Sequence, residues 1–210
     1  MRNKVLLINP PLYFSQGYPH AIDVSVPPLG LLYLASYINF HHKKELKAEV
    51  IDVAVSDYSL QAIGQIIKRK RPFVLGLTSM TPQLQGAIEL ATFVKTNFPQ
   101  IKIFLGGPHV SADPGLLKRF SKIFDYAVTG EAEKTFSDSL VKLTRNKRIP
   151  RIQAGEVVTN LDSLPFPDHK LIERSKYSQY ESMMFSRGCP FLCYYCSRPS
   201  ISRLVRYRSV

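Results

Sequence analysis

Cysteine is nearly absent from this 210-residue chain: there are three, all within residues 186–199. Acidic residues are scarce too, 16 Asp and Glu against 28 Lys and Arg, for a formal net charge of +12. No apolar run is long enough to cross a membrane. The longest, residues 27–40, is interrupted by Ser36 and Asn39, whereas a spanning helix needs about 20 apolar residues. The start, MRNKVLLINPP, carries only VLLI where a secretory signal needs roughly 7–15 apolar residues. These absences exclude a membrane span and a disulfide framework, and the expected compartment is cytoplasmic.

The basic excess has two readings, a scattered cationic surface or a groove for nucleic acid. The densest run, Lys68-Arg69-Lys70-Arg71, falls where a helix would end, a place that favours cations anyway. No nucleic-acid motif accompanies it, so a nucleic-acid partner is not expected. Arg198, Arg203, Arg206 and Arg208 put more positive charge beside the cysteines, where an anionic cofactor or substrate could meet it. Hydrophobic residues make up 45% and charged ones 21%, enough for a sizeable core.

Through residue 145 one pattern recurs: a short apolar run, a turn, then an amphipathic stretch. Strands are expected at 4–8, 49–53, 73–78, 102–105 and 126–128. Helices are expected at 28–41, 60–69, 83–97, 115–120 and 133–144. This predicts an α/β domain, a five-stranded parallel sheet covered on both faces, in flavodoxin-like order. Ligands of such folds bind beyond the carboxyl ends of the strands. Those ends carry Asn9-Pro10-Pro11, Thr78-Ser79-Met80-Thr81, Gly106-Gly107-Pro108-His109 and Thr129-Gly130-Glu131. Residues 151–159 look like a short strand with no helix after it. Residues 160–169, NLDSLPFPDH, read as an extended linker. SMMFS, 182–186, reads as a new strand leading into the cysteines. The expected divisions are 1–145, 146–181 and 182–210, the last stopping too early to close a core of its own.

Cys189, Cys193 and Cys196 are spaced C-x3-C-x2-C. Structural zinc takes four ligands, with His169 or a residue beyond Val210 as a fourth. Iron–sulfur clusters are also normally held by four thiolates, so three would leave one iron open to another ligand. Three buried thiols without metal are the remaining reading.

RGCPFLCYYC resembles the signature of radical SAM enzymes, with an aromatic, Tyr195, before the last cysteine; Ser186-Arg187-Gly188 and Pro190 fit as well. The resemblance implies that Cys189, Cys193 and Cys196 hold a [4Fe-4S] cluster. Its fourth iron would bind S-adenosylmethionine and, when reduced, cleave it to a 5′-deoxyadenosyl radical. INPP, PPLGLLYLAS, GGPHVSADP, VTGEAEKTF and NLDSLPFPD, in that order, resemble the cobalamin-binding branch of the same family. That implies a Rossmann-like B12-binding domain, followed by the first part of a radical SAM (β/α) barrel truncated soon after its cluster loop. The D-x-H-x-x-G motif, whose histidine ligates cobalt, is absent, so a bound cobalamin would have no histidine below it.

On this resemblance Asn9, Pro10 and the segment Pro27-Pro28-Leu29-Gly30 would line the corrin. Thr78, Ser79 and Thr81 would reach its nucleotide tail or cap the helix starting near Pro82. Gly106 and Gly107 would let backbone approach a ligand or simply turn the chain. His109, Gly130 and Glu131 stand at the mouth, Glu131 with the alternative of favouring a helix N-terminus. The expected activity is SAM-driven radical chemistry on an unactivated carbon, methyl transfer foremost. A small-molecule substrate and a reductant protein such as a flavodoxin or ferredoxin would be its partners. A non-catalytic cobalamin- and cluster-binding module, and a zinc- or nucleic-acid-binding protein, are the rival readings.

Overall fold

A computed structural model describes residues 3–14, 26–56, 58–196 and 202–209. Six parallel strands form one sheet in the order β2-β1-β3-β4-β5-β6. They are β1 (Asn3–Asn9), β2 (Leu46–Asp52), β3 (Val74–Thr78), β4 (Lys102–Gly106), β5 (Tyr126–Thr129) and β6 (Ile152–Ala154). The helices are α1 (Leu29–His41), α2 (Leu60–Lys70), α3 (Leu84–Asn97), α4 (Pro108–Ala112), α5 (Leu116–Arg119) and α6 (Glu133–Thr144).

Unbroken apolar strands are required because helices cover both faces. Val5 and Leu7 of β1 pack with the core under α1 and α6, while Leu6 and Ile8 join that under α2 and α3. α2 is capped at its start by Ser59, whose Oγ accepts from Ala62 N at 3.2 Å. It ends on Lys68-Arg69-Lys70, with Arg71 in a left-handed conformation at φ 52°. The densest basic run is therefore a helix C-terminus, where cations are favoured.

The sheet has a sixth strand where five were expected. α6 carries the chain back over one face, so the next strand adds in parallel beside β5. β2 begins at Leu46 rather than 49: Leu46 and Ala48 are buried, and the Asn39 amide bonds both the N–H and the carbonyl of Ala48. Gly107-Pro108 does not merely stop β4 but opens α4, because proline at a first helical position gives up no needed donor.

The linker is not free. Single 3-10 turns at Leu161–Ser163, His169–Leu171 and Arg174–Lys176 run along the domain. Asp168 N donates to Ser36 Oγ at 2.8 Å, and Tyr177 OH donates to Asp52 Oδ2 at 2.9 Å. SMMFS was expected as a strand, but pairing starts only at Ser186. There β7 (Ser186–Arg187) pairs antiparallel with β8 (Arg206–Tyr207). This ribbon frames the cysteine loop; among the described residues it is all that stands where the barrel was expected.

Candidate functional site

The strand order reverses between β1 and β3, which places a crevice at their carboxyl ends. A cavity of about 610 Å³ opens there, on the α1/α6 face of the sheet. Its floor is Leu7, Gly76, Phe104 and Val128, one residue from each of four strands. Gly76 lies mid-strand, where glycine normally weakens a sheet. Its missing side chain leaves the floor to Leu7, whose Cδ2 would stand 2.7 Å from a Cβ at position 76. Gly30, Leu31 and Leu34 of α1 and Phe136 of α6 form the sides. Gly30 sits in the first turn of α1, and nothing lies within 4 Å of where its Cβ would be. Among the described residues no packing calls for glycine there, and Gly30 lines the cavity.

The rim is backbone. Gly106, Gly107, Gly130 and Gly155 line it, Gly107 at φ 97° and Gly130 at φ 73°. A Cβ on Gly107 would lie 2.7 Å from Ser79 N, and one on Gly155 would lie 2.0 Å from Glu131 O, so neither position admits a side chain. Here the reason is close strand-end packing rather than room for a ligand.

A further wall comes from the cysteine-bearing segment: Met184, Ser186, Arg187, Gly188 and Ser202. It is fastened by four charges. Arg187 Nη2 donates to Glu133 Oε1 at 2.6 Å, and Arg187 Nη1 stands 3.6 Å from Glu131 Oε2. Arg206 meets Glu131 through Nη1, at 2.9 Å, and Nη2, and Nη1 also donates to Val158 O at 2.6 Å. Arg187 further stacks on the buried Tyr33 ring of α1, 5.1 Å from its centroid. Burial alone would push the Glu131 carboxyl up. The Arg206 fork, the Val158 N–H and the charge of Arg187 outweigh it and hold Glu131 below the ordinary glutamate value. Burial likewise lowers Arg187, and Glu133 and Glu131 reverse that, raising it.

Cys189 is partly exposed, and Cys193 and Cys196 are exposed; all three are free thiols. Cys189 N donates to Ser202 O at 3.0 Å, and Cys196 N to Cys193 O at 3.2 Å. Among the described residues, no three His, Cys, Asp or Glu side chains converge on one point. His169 lies in the linker against Tyr180, 5.3 Å between ring centroids, and joins no cysteine group. The donor set itself, three free thiols within eight residues, is soft and suits an iron–sulfur cluster or zinc.

A buried network occupies the other half of the crevice. Asp52 accepts from Asn9 Nδ2 at 2.8 Å, Ala54 N at 3.1 Å and Tyr177 OH at 2.9 Å. Gln83 Nε2 donates to Asn9 Oδ1 and to Pro10 O. Burial drives the Asp52 pKa up and these donors oppose it, leaving it raised. Beside Asp52, burial pushes the Tyr177 phenol up as well.

The B12 binding domain family model matches residues 20–140 of this sequence. The chain belongs to the B12-binding domain family. An uncharacterized methyltransferase of Pyrococcus horikoshii is 31% identical over 212 residues, covering 92% of this chain and 45% of that protein. The hopanoid C-2 methylase of Rhodopseudomonas palustris is 31% identical over 195 residues, covering 90% and 33%. An anaerobic magnesium-protoporphyrin IX monomethyl ester cyclase of Rubrivivax gelatinosus is 26% identical over 230 residues, covering 98% and 40%. This chain thus spans less than half the length of each. The solved structure of OxsB, a cobalamin-dependent S-adenosylmethionine radical enzyme with aqua-cobalamin bound, shares the fold. Its TM-score is 0.76 at 20% identity, covering 99% of this chain and 30% of that one. No helix among the described residues is long and apolar enough to cross a membrane.

Of the residues singled out from the sequence, Thr78, Gly106, Gly107, Gly130, Glu131 and Gly30 line the cavity of this B12-binding domain. Asn9 and Pro10 are held instead in the Asp52 network. Ser79 is buried and donates through Oγ to Met80 O at 2.9 Å. Thr81 Oγ1 and His109 Nδ1 are 2.9 Å apart on the exposed shoulder beside α4. Tyr195 is exposed on the cysteine loop. Sequence reasoning missed the cavity roles of Gly76, Phe136 and Arg187 and the Asp52–Tyr177 pair. Only Gly76 carried a signal, a glycine inside an otherwise apolar strand.

Proposed function

We propose that this chain forms the cobalamin- and cluster-binding part of a radical SAM methyltransferase-type enzyme. The observation that carries the reading is the shared wall: the ribbon that leads into Cys189 also closes the cavity of the B12-binding domain. A group in the cavity and a cluster on the loop would be neighbours on opposite sides of this wall.

The cavity fits the nucleotide arm of cobalamin. It is apolar on its floor and sides, open at Gly30, and within the range of small-ligand sites, roughly 300–1,000 Å³. Leu7, Phe104, Val128 and Phe136 would exclude water, and Thr78 on the rim would offer a hydroxyl. Cys189, Cys193 and Cys196 would hold a [4Fe-4S] cluster, with Tyr195 beside it and one iron left for S-adenosylmethionine. Bound together, these groups would supply one-electron cleavage of S-adenosylmethionine and a carrier for a methyl group. The chemistry would act on a small-molecule substrate, with electrons from a flavodoxin- or ferredoxin-like protein, in the cytoplasm.

The test is metal and cofactor content after anaerobic purification, cluster reconstitution and addition of hydroxocobalamin. About four irons per chain are expected, with cobalt retained and the iron lost in the Cys189→Ala, Cys193→Ala, Cys196→Ala triple variant. Zinc without iron would replace this reading by a zinc site.

A further inference from the structure

We propose that the β7–β8 ribbon is a closing wall clamped by cavity occupancy, with Arg187 the positioning residue that links the cavity to the seat of Cys189. The inference rests on the cobalamin reading above and adds to it a coupling between the two cofactor sites.

The ribbon cannot hold itself. It has two residue pairs, and even a longer isolated hairpin is marginal in water. Its place is set by what it grips, and the grip is ionic. Arg187 and Arg206 face each other in register; Arg187 bonds Glu133, the first residue of α6, and stands 3.6 Å from Glu131, which Arg206 holds. Two cations and two carboxylates balance. Removing one partner of such a buried pair leaves an uncompensated charge, so the pairs tie the ribbon to one seat.

Arg187 joins the cavity to both helices beside it. It lines the cavity, bonds Glu133 at the start of α6 and stacks on Tyr33 of α1. The chain then turns at Gly188, φ 100°, where a Cβ would fall 2.2 Å from Leu204 O. The next residue is Cys189, whose N–H is held by Ser202 O, and Ser202 also lines the cavity. Whatever fills the cavity therefore presses on Arg187, Gly188 and Ser202, the three residues that seat Cys189. Coupling of this kind is reciprocal: a ligand that steadies the wall is itself held more tightly by a steady wall. A lysine keeps the charge at 187 but loses the planar fork and the ring stacking.

The experiment titrates hydroxocobalamin into the full chain, wild type and the variants R187M, R187K and E133Q. Affinity is read from the visible spectrum, and amide hydrogen exchange is followed at 187–189 and 202–207. In the wild type, hydroxocobalamin should slow exchange there at least tenfold. R187M should bind at least tenfold more weakly, and its cobalamin-induced protection of the ribbon should fall below twofold, with β1 and β3 amides still protected. R187K should lie between. E133Q, which leaves the arginine in place, should lose part of both effects. A merely structural Arg187 would lower protection with and without cobalamin alike and leave the increment unchanged; that result overturns the proposal. Should R187M not fold, wild-type affinity and increment in E133Q overturn it equally. Failure of the wild type to bind hydroxocobalamin would sink the underlying reading, whereas binding with no increment at 187–189 would sink only the coupling.

Discussion

Leu7 and Gly76 are register partners on β1 and β3, and the Leu7 side chain leans across the place a side chain at 76 would take. The floor of the cavity depends on that glycine. Gly76→Val would push Leu7 aside and fill the space under Phe136, whose Cζ lies 3.4 Å from where a Cβ at 76 would stand. Overpacking of this kind costs about 1–3 kcal/mol. The sheet should survive, with hydroxocobalamin affinity reduced at least tenfold in a visible-absorbance titration. An unchanged affinity would mean that the ligand does not reach the floor.

Gly30 separates stability from binding. It sits in the first turn of α1 with open space around it. Replacing a helical glycine with alanine gains up to about 1 kcal/mol. Gly30→Ala should therefore raise the urea midpoint. Gly30→Leu should fold as well, yet project into the cavity and weaken hydroxocobalamin binding at least tenfold. Lost stability in Gly30→Ala would show that the glycine serves the fold rather than the cavity.

The Asp52 carboxylate is buried, and its pKa is raised above 3.8. A raised folded-state value means that its contribution to stability is full below about 3.8 and is lost as pH climbs through the folded value. The wild type should lose stability relative to Asp52→Asn over that rise, measured as the difference in unfolding free energy at each pH. Tyr177→Phe removes one donor that lowers the value. It should cost about 1–3 kcal/mol at neutral pH and move the loss to higher pH. A pH-independent difference between wild type and Asp52→Asn would contradict the burial.

The parallel sheet is legible in the sequence because doubly covered strands leave little choice of residue: KVLLI, FVLGLT and KIFL are strands by composition alone. The cysteine loop is legible because three thiols in eight residues serve few purposes. The pocket walls are not. Arg187 and Glu133 are 54 residues apart and Tyr177 and Asp52 are 125 apart, pairings that no local pattern encodes. Glu131 reads as facing the cofactor because it stands at a strand end. It does line the cavity, but its carboxylate is engaged by Arg206, a residue that the sequence shows only as spare positive charge. Asn9 shows the same limit: its position at the end of β1 is readable, while its partner, at the end of the neighbouring β2, is not.

Glu131 titrates with the opposite sign to Asp52. Its pKa is held below 4.5, so the Arg206 pair contributes above that value and loses its contribution as pH falls through the folded-state value. Below that point the Arg206 guanidinium faces a neutral acid. Acidification below pH 4.5, through the folded-state value, should release the ribbon before the sheet melts, seen as faster amide exchange at 202–207 while β1 and β3 stay protected. Exchange at each pH is compared after correction for the intrinsic chemical rate. Glu131→Gln should show an already loosened ribbon whose excess exchange changes little with pH. Were wild type and Glu131→Gln to give parallel pH profiles, the lock would lie elsewhere, and Arg208, which reaches Leu164 O at 3.1 Å and the Phe166 ring at 4.6 Å, would be the next anchor to substitute.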